Sequence, residues 1–378
     1  MSERAKVVVI GGGIAGCSTL YHLTQEGITD VILLERDELT SGTTWHSAAQ
    51  VTNFGMNQTM VGLKSHSIAL YKALSEDPEY PINYHHADGG IRLAETEEQM
   101  EAIEDYQNEF RFHYPHEHRP AGRPMKTTPL TPVLAAEGGH FGLVNGWERL
   151  EYIKPTPAFE EEHSFRFTNA EEVIGSEVRA VQSGVGLCEV SGFNRFEITG
   201  SDAHDFLDRM TCGRLQRREG RVGLSYLLNH QGMVKGEATI ANLPNGRVWF
   251  GSAAAAEYHD MDWLMQHRGA DEDVQIRSLT NHMTILVIAG PKARDVLSSA
   301  ARGDWSEEAF KWLAVREAHV GIAPAVVMRV SFSGELAYEI HVPNQSLMAA
   351  YTALRNAGEA HGMRFFGSRA VEAMRLEM

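Results

Sequence analysis

Three glycines near the start of the chain have the spacing of a dinucleotide-binding loop. Gly11, Gly13 and Gly16 form the pattern GxGxxG between a β-branched run and a helical pattern. The first glycine permits a tight turn, the second lets a pyrophosphate approach a helix N-terminus, and the third lets helix and strand pack closely. Glu35 follows about 20 residues later, where a carboxylate accepts hydrogen bonds from a ribose. The pattern predicts dinucleotide binding without separating NAD from FAD, and a purely structural glycine turn is the alternative.

The elements around these glycines follow from hydrophobic patterning. Residues 7–10 are a continuous β-branched run that predicts a buried strand, and residues 14–23 repeat apolar side chains at helical spacing. Residues 31–34 predict a second buried strand. The unit is therefore β-α-β, which is the context that the glycine pattern requires. A further amphipathic helix is predicted over residues 56–75, and a short strand near residues 91–93.

A stretch rich in proline and histidine separates the two halves of the chain. Five prolines fall within residues 115–132, so we expect neither a sustained helix nor a central strand there. His113, His116 and His118 lie in or beside this stretch without the helical or hairpin setting that would add further ligands, so no metal site is predicted. We interpret residues 107–150 as a connector.

Beyond the connector the patterning predicts a domain of mixed α+β character. Residues 193–198 and 285–288 predict strands, and Ser201 is expected to cap the helix that follows it. Residues 326–330 and 336–342 alternate apolar and polar side chains on either side of a serine-glycine turn. This alternation is typical of a hairpin.

Composition and charge exclude several classes of protein. Of 378 residues, 43% are hydrophobic and 22% are charged, which is typical of a globular protein. The net charge of −16 disfavours nucleic acid, because the average field repels phosphates. No apolar stretch is long enough to span a membrane and no signal peptide is evident, so we expect no membrane partner and a cytoplasmic location. The three cysteines have neither disulfide nor metal spacing.

Residues 38–49 closely resemble the flavin-attachment region of the dimethylglycine and sarcosine dehydrogenases, which are D-amino-acid-oxidase-like flavoproteins. The resemblance runs unbroken over residues 7–90 and includes the sequence Thr-Thr-Trp-His. It implies FAD as the dinucleotide, contacts from Thr43 and Thr44, and covalent attachment of the flavin to His46. By the residues alone, a histidine hydrogen-bonded near a turn is the competing interpretation.

The chain from residue 122 onward resembles the folate-binding half of the same enzymes, which has the fold of the glycine-cleavage T-protein. The segments that carry this resemblance are 122–124, 146–148, 185–191, 228–232, 290–294, 333–339 and 375–377. The resemblance implies that Glu335 binds the pterin of tetrahydrofolate and that Glu237 is catalytic and handles protons, although the T-protein has an aspartate at that place. Tyr226 and Trp249 are candidate walls for the pterin, with core packing as the alternative.

The resemblance does not cover a whole flavin domain. Further strands and a substrate-binding sheet of the family have no counterpart between the two matching halves, and the family pattern continues beyond residue 378. We therefore predict an α/β Rossmann-like FAD-binding segment, incomplete, over residues 1–106, and an α+β aminomethyltransferase folate-binding domain, truncated, over residues 151–378. Open strand edges in the first segment lead us to expect weak flavin retention.

The implied activity is FAD-dependent oxidative demethylation of an N-methylglycine derivative, with transfer of the one-carbon unit to tetrahydrofolate. The expected partners are an N-methylated amino acid and tetrahydrofolate, while the electron acceptor is left open. Two alternatives are a folate-binding module without redox activity and an inactive fragment of such a dehydrogenase.

Overall fold

The computed structural model describes residues 4–46, 58–79, 82, 84, 113–118, 122–213 and 215–377. The chain divides into two compact units, Met1–Arg111 and Phe112–Met378. The predicted strand near residues 91–93 lies outside the described residues.

The first unit contains the predicted β-α-β arrangement. Strand β1 covers Val7–Ile10, helix α1 covers Ile14–Gln25, and strand β2 covers Val31–Leu34. The two strands pair in parallel, from Val7 opposite Val31 to Ile10 opposite Leu34. Helix α2 covers Gln58–Ser75, which confirms the helix predicted from the amphipathic pattern.

The apolar faces of this unit remain open in the described structure. None of the residues of α1 is buried, and β1 and β2 form a sheet of two strands. Ile10 at the end of β1 is 84% exposed. A parallel sheet is normally covered on both faces, so the β-α-β unit lacks most of the burial that stabilises this arrangement elsewhere.

The second unit is built on two antiparallel sheets and a hairpin. The strands are β3 (Gly139–Val144), β4 (Trp147–Ile153), β5 (Gly186–Glu189), β6 (Asn194–Thr199), β7 (Val222–Leu228), β8 (Val234–Asn242), β9 (Val248–Ser252), β10 (Gln275–Ser278), β11 (Met283–Ala289), β12 (Val315–Val320), β13 (Ala323–Met328), β14 (Ala337–Pro343) and β15 (Arg364–Phe365). One sheet has the order β10-β6-β9-β8-β7, and the other has the order β12-β13-β14-β11-β5-β15. Strands β3 and β4 pair with each other. The last strand, β15, is parallel to β5, whereas the other ladders of both sheets are antiparallel.

Helices pack against both sheets, and those on the six-stranded sheet use both of its faces. They are α3 (Thr131–Ala136), α4 (Ala170–Ser183), α5 (Ala203–Met210), α6 (Glu257–His267), α7 (Ala293–Ala300), α8 (Leu347–Glu359) and α9 (Ser368–Leu376). The five-stranded sheet shares a buried core with α5 and α6, and the six-stranded sheet shares one with α7 and α8. A third core, which includes Val222, Trp249 and Met328, lies between the sheets. The layers are therefore helix, sheet, sheet and helix.

The structure differs from the sequence-based expectations at three places. Helix α5 begins at Ala203 and has Asp202 as its N-cap, so the predicted cap, Ser201, is wrong. The Ser201 hydroxyl instead donates to Oδ2 of Asp273 at 3.1 Å. The proline-rich stretch, where no sustained helix was expected, ends in the short helix α3 with a proline in its first turn. Proline is tolerated there because the first N–H groups of a helix have no acceptor within the helix. Strand β4 crosses residue 150, so the proposed end of the connector falls inside a hairpin of the second unit.

We expect Leu286→Ala to destabilise the second unit by about 2–5 kcal/mol, because the side chain on β11 is fully buried and its removal leaves a cavity. Leu376→Ala is the matched control, since that leucine is 87% exposed. Urea unfolding followed by tryptophan fluorescence checks this, because Trp147, Trp249, Trp263, Trp305 and Trp312 lie in the second unit. Equal midpoints for the two variants would contradict the assignment of β11 to the core.

Candidate functional sites

The glycine loop has the backbone geometry that its sequence predicts. Gly11 has a φ of +103°, and its N–H donates to the carbonyl oxygen of Leu34 at 2.8 Å. A Cβ added to Gly16 would overlap the carbonyl oxygen of Gly11, so α1 can pack this close to the turn only with glycine there. Gly13 is the N-cap of α1. Gly11 and Gly16 are therefore required by backbone conformation and close packing, whereas the extended backbone of Gly13 is open to other residues.

Two N–H groups of this loop donate hydrogen bonds to side chains of the protein itself. Oε2 of Glu35 accepts from the Gly12 N–H at 2.5 Å, and Oγ1 of Thr44 accepts from the Ile14 N–H at 3.0 Å. Hydrogen bonds from the backbone of Gly12, Asp37 and Arg36 lower the pKa of Glu35. These contacts show that the N-terminus of α1 presents donors to oxygen ligands, which is the requirement of a pyrophosphate site.

The predicted attachment segment lies against the glycine loop. Residues Thr43–His46 form a 3-10 turn, and the Thr40 N–H donates to the carbonyl oxygen of Gly12 at 2.9 Å. His46 is exposed, and its Nδ1 lies 3.1 Å from the carbonyl oxygen of Gly42. The structure thus brings together the glycine loop, Glu35 and Thr44, with His46 at the end of the same turn.

Two of the predicted folate residues are direct neighbours in the second unit. Tyr226 on β7 pairs with Glu237 on β8, so both side chains project from the same face of the five-stranded sheet. Tyr226 is half-buried and Glu237 is exposed. Among the described residues, Glu237 has no hydrogen-bond or ion-pair partner, so its carboxylate is available to a ligand.

Glu335 lies on the loop that joins β13 to β14 in the other sheet. It is half-buried and likewise has no polar partner among the described residues. On the same loop the ring of Phe332 stacks on Phe193, with 6.4 Å between the ring centroids. Arg149 covers Phe193, with its guanidinium carbon 5.0 Å from the centroid of that ring. The carboxylate of Glu335 is therefore carried by a loop that contacts these aromatic residues.

A family model described as "GCVT N-terminal domain" matches residues 130–378, well over half of the chain. The chain belongs to this family. A second family model, "FAD dependent oxidoreductase", matches residues 6–147. The predicted two-part fold is therefore confirmed, and the second unit is called the GCVT unit below.

Three similar proteins agree with this assignment. Dimethylglycine dehydrogenase, mitochondrial, from Rattus norvegicus is 33% identical over 268 residues, covering 70% of this chain and 31% of the relative. Sarcosine oxidase subunit alpha from Rhizobium meliloti (strain 1021) is 31% identical over 261 residues, covering 68% and 26%. The solved structure of glycine cleavage system aminomethyltransferase T from Bartonella henselae has a TM-score of 0.55 at 21% identity, covering 67% of this chain and 62% of that one, which supports the fold.

The predicted resemblance to dimethylglycine and sarcosine dehydrogenases is thereby confirmed. The chain spans about a third of the length of the curated relatives that it matches. None of the helices in the described part of the chain is both long and apolar enough to cross a membrane.

Trp249 of the GCVT unit lies deeper than Tyr226 and Glu237. It is 3% exposed in the core between the sheets, and its indole N–H donates to Oε2 of Glu197 at 3.2 Å. It also lines an open cavity of about 600 Å³ together with Arg247 and Arg277. Trp249 pairs with Ala241, which lies four residues along β8 from Glu237, so its side chain projects from the same face of the sheet as Tyr226 and Glu237 but farther along the strands.

A buried polar group that was not predicted from the sequence lies beside Trp249. Arg195 on β6 lies with its guanidinium carbon 5.3 Å from the Trp249 ring centroid, and burial lowers the pKa of Arg195 to about 10 despite attraction from Glu339. His341 is fully buried with Nε2 3.1 Å from Oε2 of Glu339, and burial lowers its pKa to about 4. The signal was available on β14, where Glu339 and His341 are polar residues two apart in an otherwise apolar strand.

The structure places a hairpin beside one of the histidines for which the sequence predicted no metal site. His140 on β3 and Glu151 on β4 are residues of this hairpin, and their ligand atoms lie within 4.8 Å of each other and of Glu161. His140 was not among the histidines considered from the sequence. His118 reaches the same carboxylate, with its Nε2 2.8 Å from Oε1 of Glu151.

Glu189 at the end of β5 is a buried acid in the GCVT unit. It is 2% exposed, and burial raises its pKa to about 7. The hydrogen bond from the Ser191 hydroxyl and the attraction from Arg149 lower this pKa by less than burial raises it. Its Oε2 has no hydrogen-bond partner among the described residues. Ionisation of Glu189 in the folded protein is therefore costly.

We expect the contribution of Glu189 to the stability of the GCVT unit to fall as the pH rises from 5 to 8. The pKa of Glu189 is raised from 4.5 to about 7 on folding, so its contribution is complete below pH 4.5 and is lost as the pH passes 7. The loss is about 2–3 kcal/mol over this interval. Urea unfolding at both pH values checks this: Glu189→Gln should remove that part of the pH dependence, and the exposed Glu359→Gln should not. An identical pH dependence in all three proteins would overturn the assignment.

Proposed function

We propose that this chain takes part in FAD-dependent oxidative demethylation of an N-methylated glycine of the dimethylglycine or sarcosine type, with tetrahydrofolate as the one-carbon acceptor. One observation carries the proposal: within a GCVT fold, Glu237 beside Tyr226 and Glu335 on the loop before β14 are carboxylates that have no polar partner among the described residues. A free carboxylate in a folded protein is suited to a ligand that supplies N–H donors.

The roles of the two carboxylates follow from their chemistry. Glu335 accepts hydrogen bonds from the N–H groups of the pterin ring, and Tyr226 supplies an aromatic surface beside Glu237. The N-methyl group reaches this step as an iminium, and each of two tetrahydrofolate nitrogens loses a proton when it bonds to the methylene carbon. One proton goes to the amine nitrogen as its bond to this carbon breaks, and Glu237 takes up the other. The products are methylenetetrahydrofolate and the demethylated amine.

The FAD assignment is consistent with the geometry of the first unit. Bound FAD would accept a hydride from the N-methyl group of the substrate. The loop that contains Gly11, Gly13 and Gly16 can hold the pyrophosphate of FAD. Glu35 lies at the position where a carboxylate is required to bind the ribose hydroxyl groups. Binding requires the loop N–H groups to exchange Glu35 and Thr44 oxygens for ligand oxygens. The Thr43–His46 turn is close enough to the loop for His46 to be the attachment residue.

A second candidate function is a folate-binding module without redox activity. The exposed faces of the β-α-β unit favour it, because a nucleotide held only by this unit would be in contact with solvent on several sides. An N-methylated amino acid and tetrahydrofolate are the proposed small-molecule partners of the first function, whereas the second needs tetrahydrofolate alone. A cytoplasmic location stays a prediction.

We expect Glu335→Gln to weaken tetrahydrofolate binding about 10- to 100-fold, because a charge-assisted hydrogen bond of about 1.5–3 kcal/mol is lost. Glu237→Gln should leave binding within about threefold and lower the rate of methylenetetrahydrofolate formation about 10²- to 10⁴-fold, with FAD supplied. Calorimetry and a single-turnover assay with dimethylglycine provide the two measurements. Glu359→Gln is the control. Unchanged tetrahydrofolate affinity in Glu335→Gln would refute the folate site.

We expect the purified chain to carry well below one flavin per molecule after desalting, since the β-α-β unit buries so little surface. Flavin that does remain should survive acid precipitation of the unaltered chain and be lost from His46→Ala, because attachment there is covalent. Absorbance near the two flavin bands measures both quantities. Full occupancy would contradict the first expectation, and acid-labile colour in the unaltered chain would contradict attachment at His46.

Amine-dependent reduction of an artificial electron acceptor separates the demethylase from the folate module.

A further inference from the structure

A hairpin of the GCVT unit gathers metal-ligand side chains from three parts of the chain. His140 lies on β3, Glu151 lies on β4, and Glu161 lies on the loop that follows β4. Each offers one ligand atom, and these atoms lie within 4.8 Å of one another. His118, from the segment before the hairpin, adds a fourth group, because its Nε2 lies 2.8 Å from Oε1 of Glu151.

A β-bulge aims Glu151 at the histidines. His140 pairs with Tyr152 and Phe141 pairs with Leu150, so Glu151 has no residue opposite it on β3. A bulge of this kind breaks strict alternation and redirects a side chain. Gly142 completes the arrangement, because a Cβ at that position would overlap both Oε1 of Glu151 and Nε2 of His118.

The distances between the groups bracket those of a bound zinc ion. Metal–ligand bonds of about 2.0–2.2 Å in a tetrahedron place neighbouring ligand atoms about 3.3–3.6 Å apart. Here Nε2 of His118 is 2.8 Å from the Glu151 oxygen, and Nε2 of His140 is 3.7 Å from Oε2 of Glu161.

Neighbouring residues orient two of the ligands. Arg369 contacts Oε1 of Glu161 at 2.6 Å, and the hydroxyl of Tyr152 donates to its Oε2 at 3.0 Å. The ring of His140 stacks on Tyr152, with 4.6 Å between the ring centroids. Such outer contacts fix the geometry of metal ligands.

The protein alone does not satisfy the hydrogen-bonding capacity of Glu151. This residue is 6% exposed, and its Oε2 has no hydrogen-bond partner among the described residues. A buried carboxylate oxygen without a partner is costly, and a cation at this place would remove that cost.

We propose that His118, His140, Glu151 and Glu161 form a binding site for a divalent transition metal of the zinc class. Two imidazoles and two carboxylates suit Zn²⁺ in tetrahedral geometry, while Mg²⁺ and Ca²⁺ favour all-oxygen sites. The metal replaces the proton on Nε2 of His118, so Nδ1 takes a proton and the 3.3 Å bond from the Leu143 N–H opens. The site joins the segment around His118 to the hairpin, and it does not depend on the proposed demethylase or folate functions.

The test uses the full chain after removal of metals with EDTA and dialysis. We expect calorimetry with ZnCl₂ to show one tight site per chain, and CoCl₂ to give the intense visible absorption of tetrahedral Co²⁺. Loss of an outer contact typically weakens metal binding about 10- to 100-fold. His118→Ala and His140→Ala each remove a ligand, so each should weaken Zn²⁺ binding by more than this and should abolish the Co²⁺ bands. Both histidines are partly exposed, so these variants are expected to fold.

His113→Ala is the matched control from the same segment, because its Nδ1 lies 4.0 Å from Glu117 and the residue is outside the proposed ligand set. Unchanged Zn²⁺ affinity and Co²⁺ bands in this control support the site. Zn²⁺ affinity that is equal in His118→Ala, His140→Ala and His113→Ala would overturn the proposal, as would the absence of a tight site in the unaltered chain. In either case the cluster would be a polar network of the protein alone.

Discussion

Strand β14 is hydrogen-bonded along both edges, and the arrangement of the GCVT unit depends on this placement. It pairs with β11 over seven residues and with β13 over three. Its even-numbered side chains, Tyr338, Ile340 and Val342, join the core shared with α7 and α8. Glu339 and His341 face the other way, toward Arg195 and Trp249 of the five-stranded sheet. The loop that enters this strand carries Glu335, so a central element of the core holds the residue proposed to bind the pterin.

Burial of polar groups has opposite consequences in different parts of this unit. At Glu189 and His341 burial favours the neutral form, whereas Arg195 stays charged beside Glu339 and the Trp249 ring. Glu237, which is exposed, and Glu335, which is half-buried, have no polar partners among the described residues. Burial therefore limits charge in the interior, whereas the two carboxylates proposed for proton transfer and pterin recognition lie on a strand surface and a loop. The described residues of the first unit form no comparable interior, so its proposed flavin contacts rest on local backbone geometry.

Much of the secondary structure could be predicted because it depends on local patterning. The strands at residues 7–10 and 31–34, and the hairpin partners β13 and β14, were evident from their apolar runs and alternation. Ser201 was misassigned because Asp273, distant in sequence, competes for its hydroxyl. The roles of Glu335 and Glu237 came from resemblance to a family, since an isolated carboxylate carries no signal of its own. Trp249 shows the limit of that approach, because an aromatic residue on a strand can face either a ligand or the core.

By itself the sequence determined the glycine loop and the family. Gly11 and Gly16 are required by a backbone conformation and a close approach that involve only neighbouring residues, and such constraints are written directly in residue type. Only the tertiary structure decided which polar side chains meet. The register of β3 on β4, with its bulge at Glu151, brings this residue together with His140 and Glu161 and places it beside His118. The pairing of β7 with β8 places Tyr226 beside Glu237. Strand register depends on long-range hydrogen bonding and core packing, and neither is encoded by the spacing of the residues that it brings into contact.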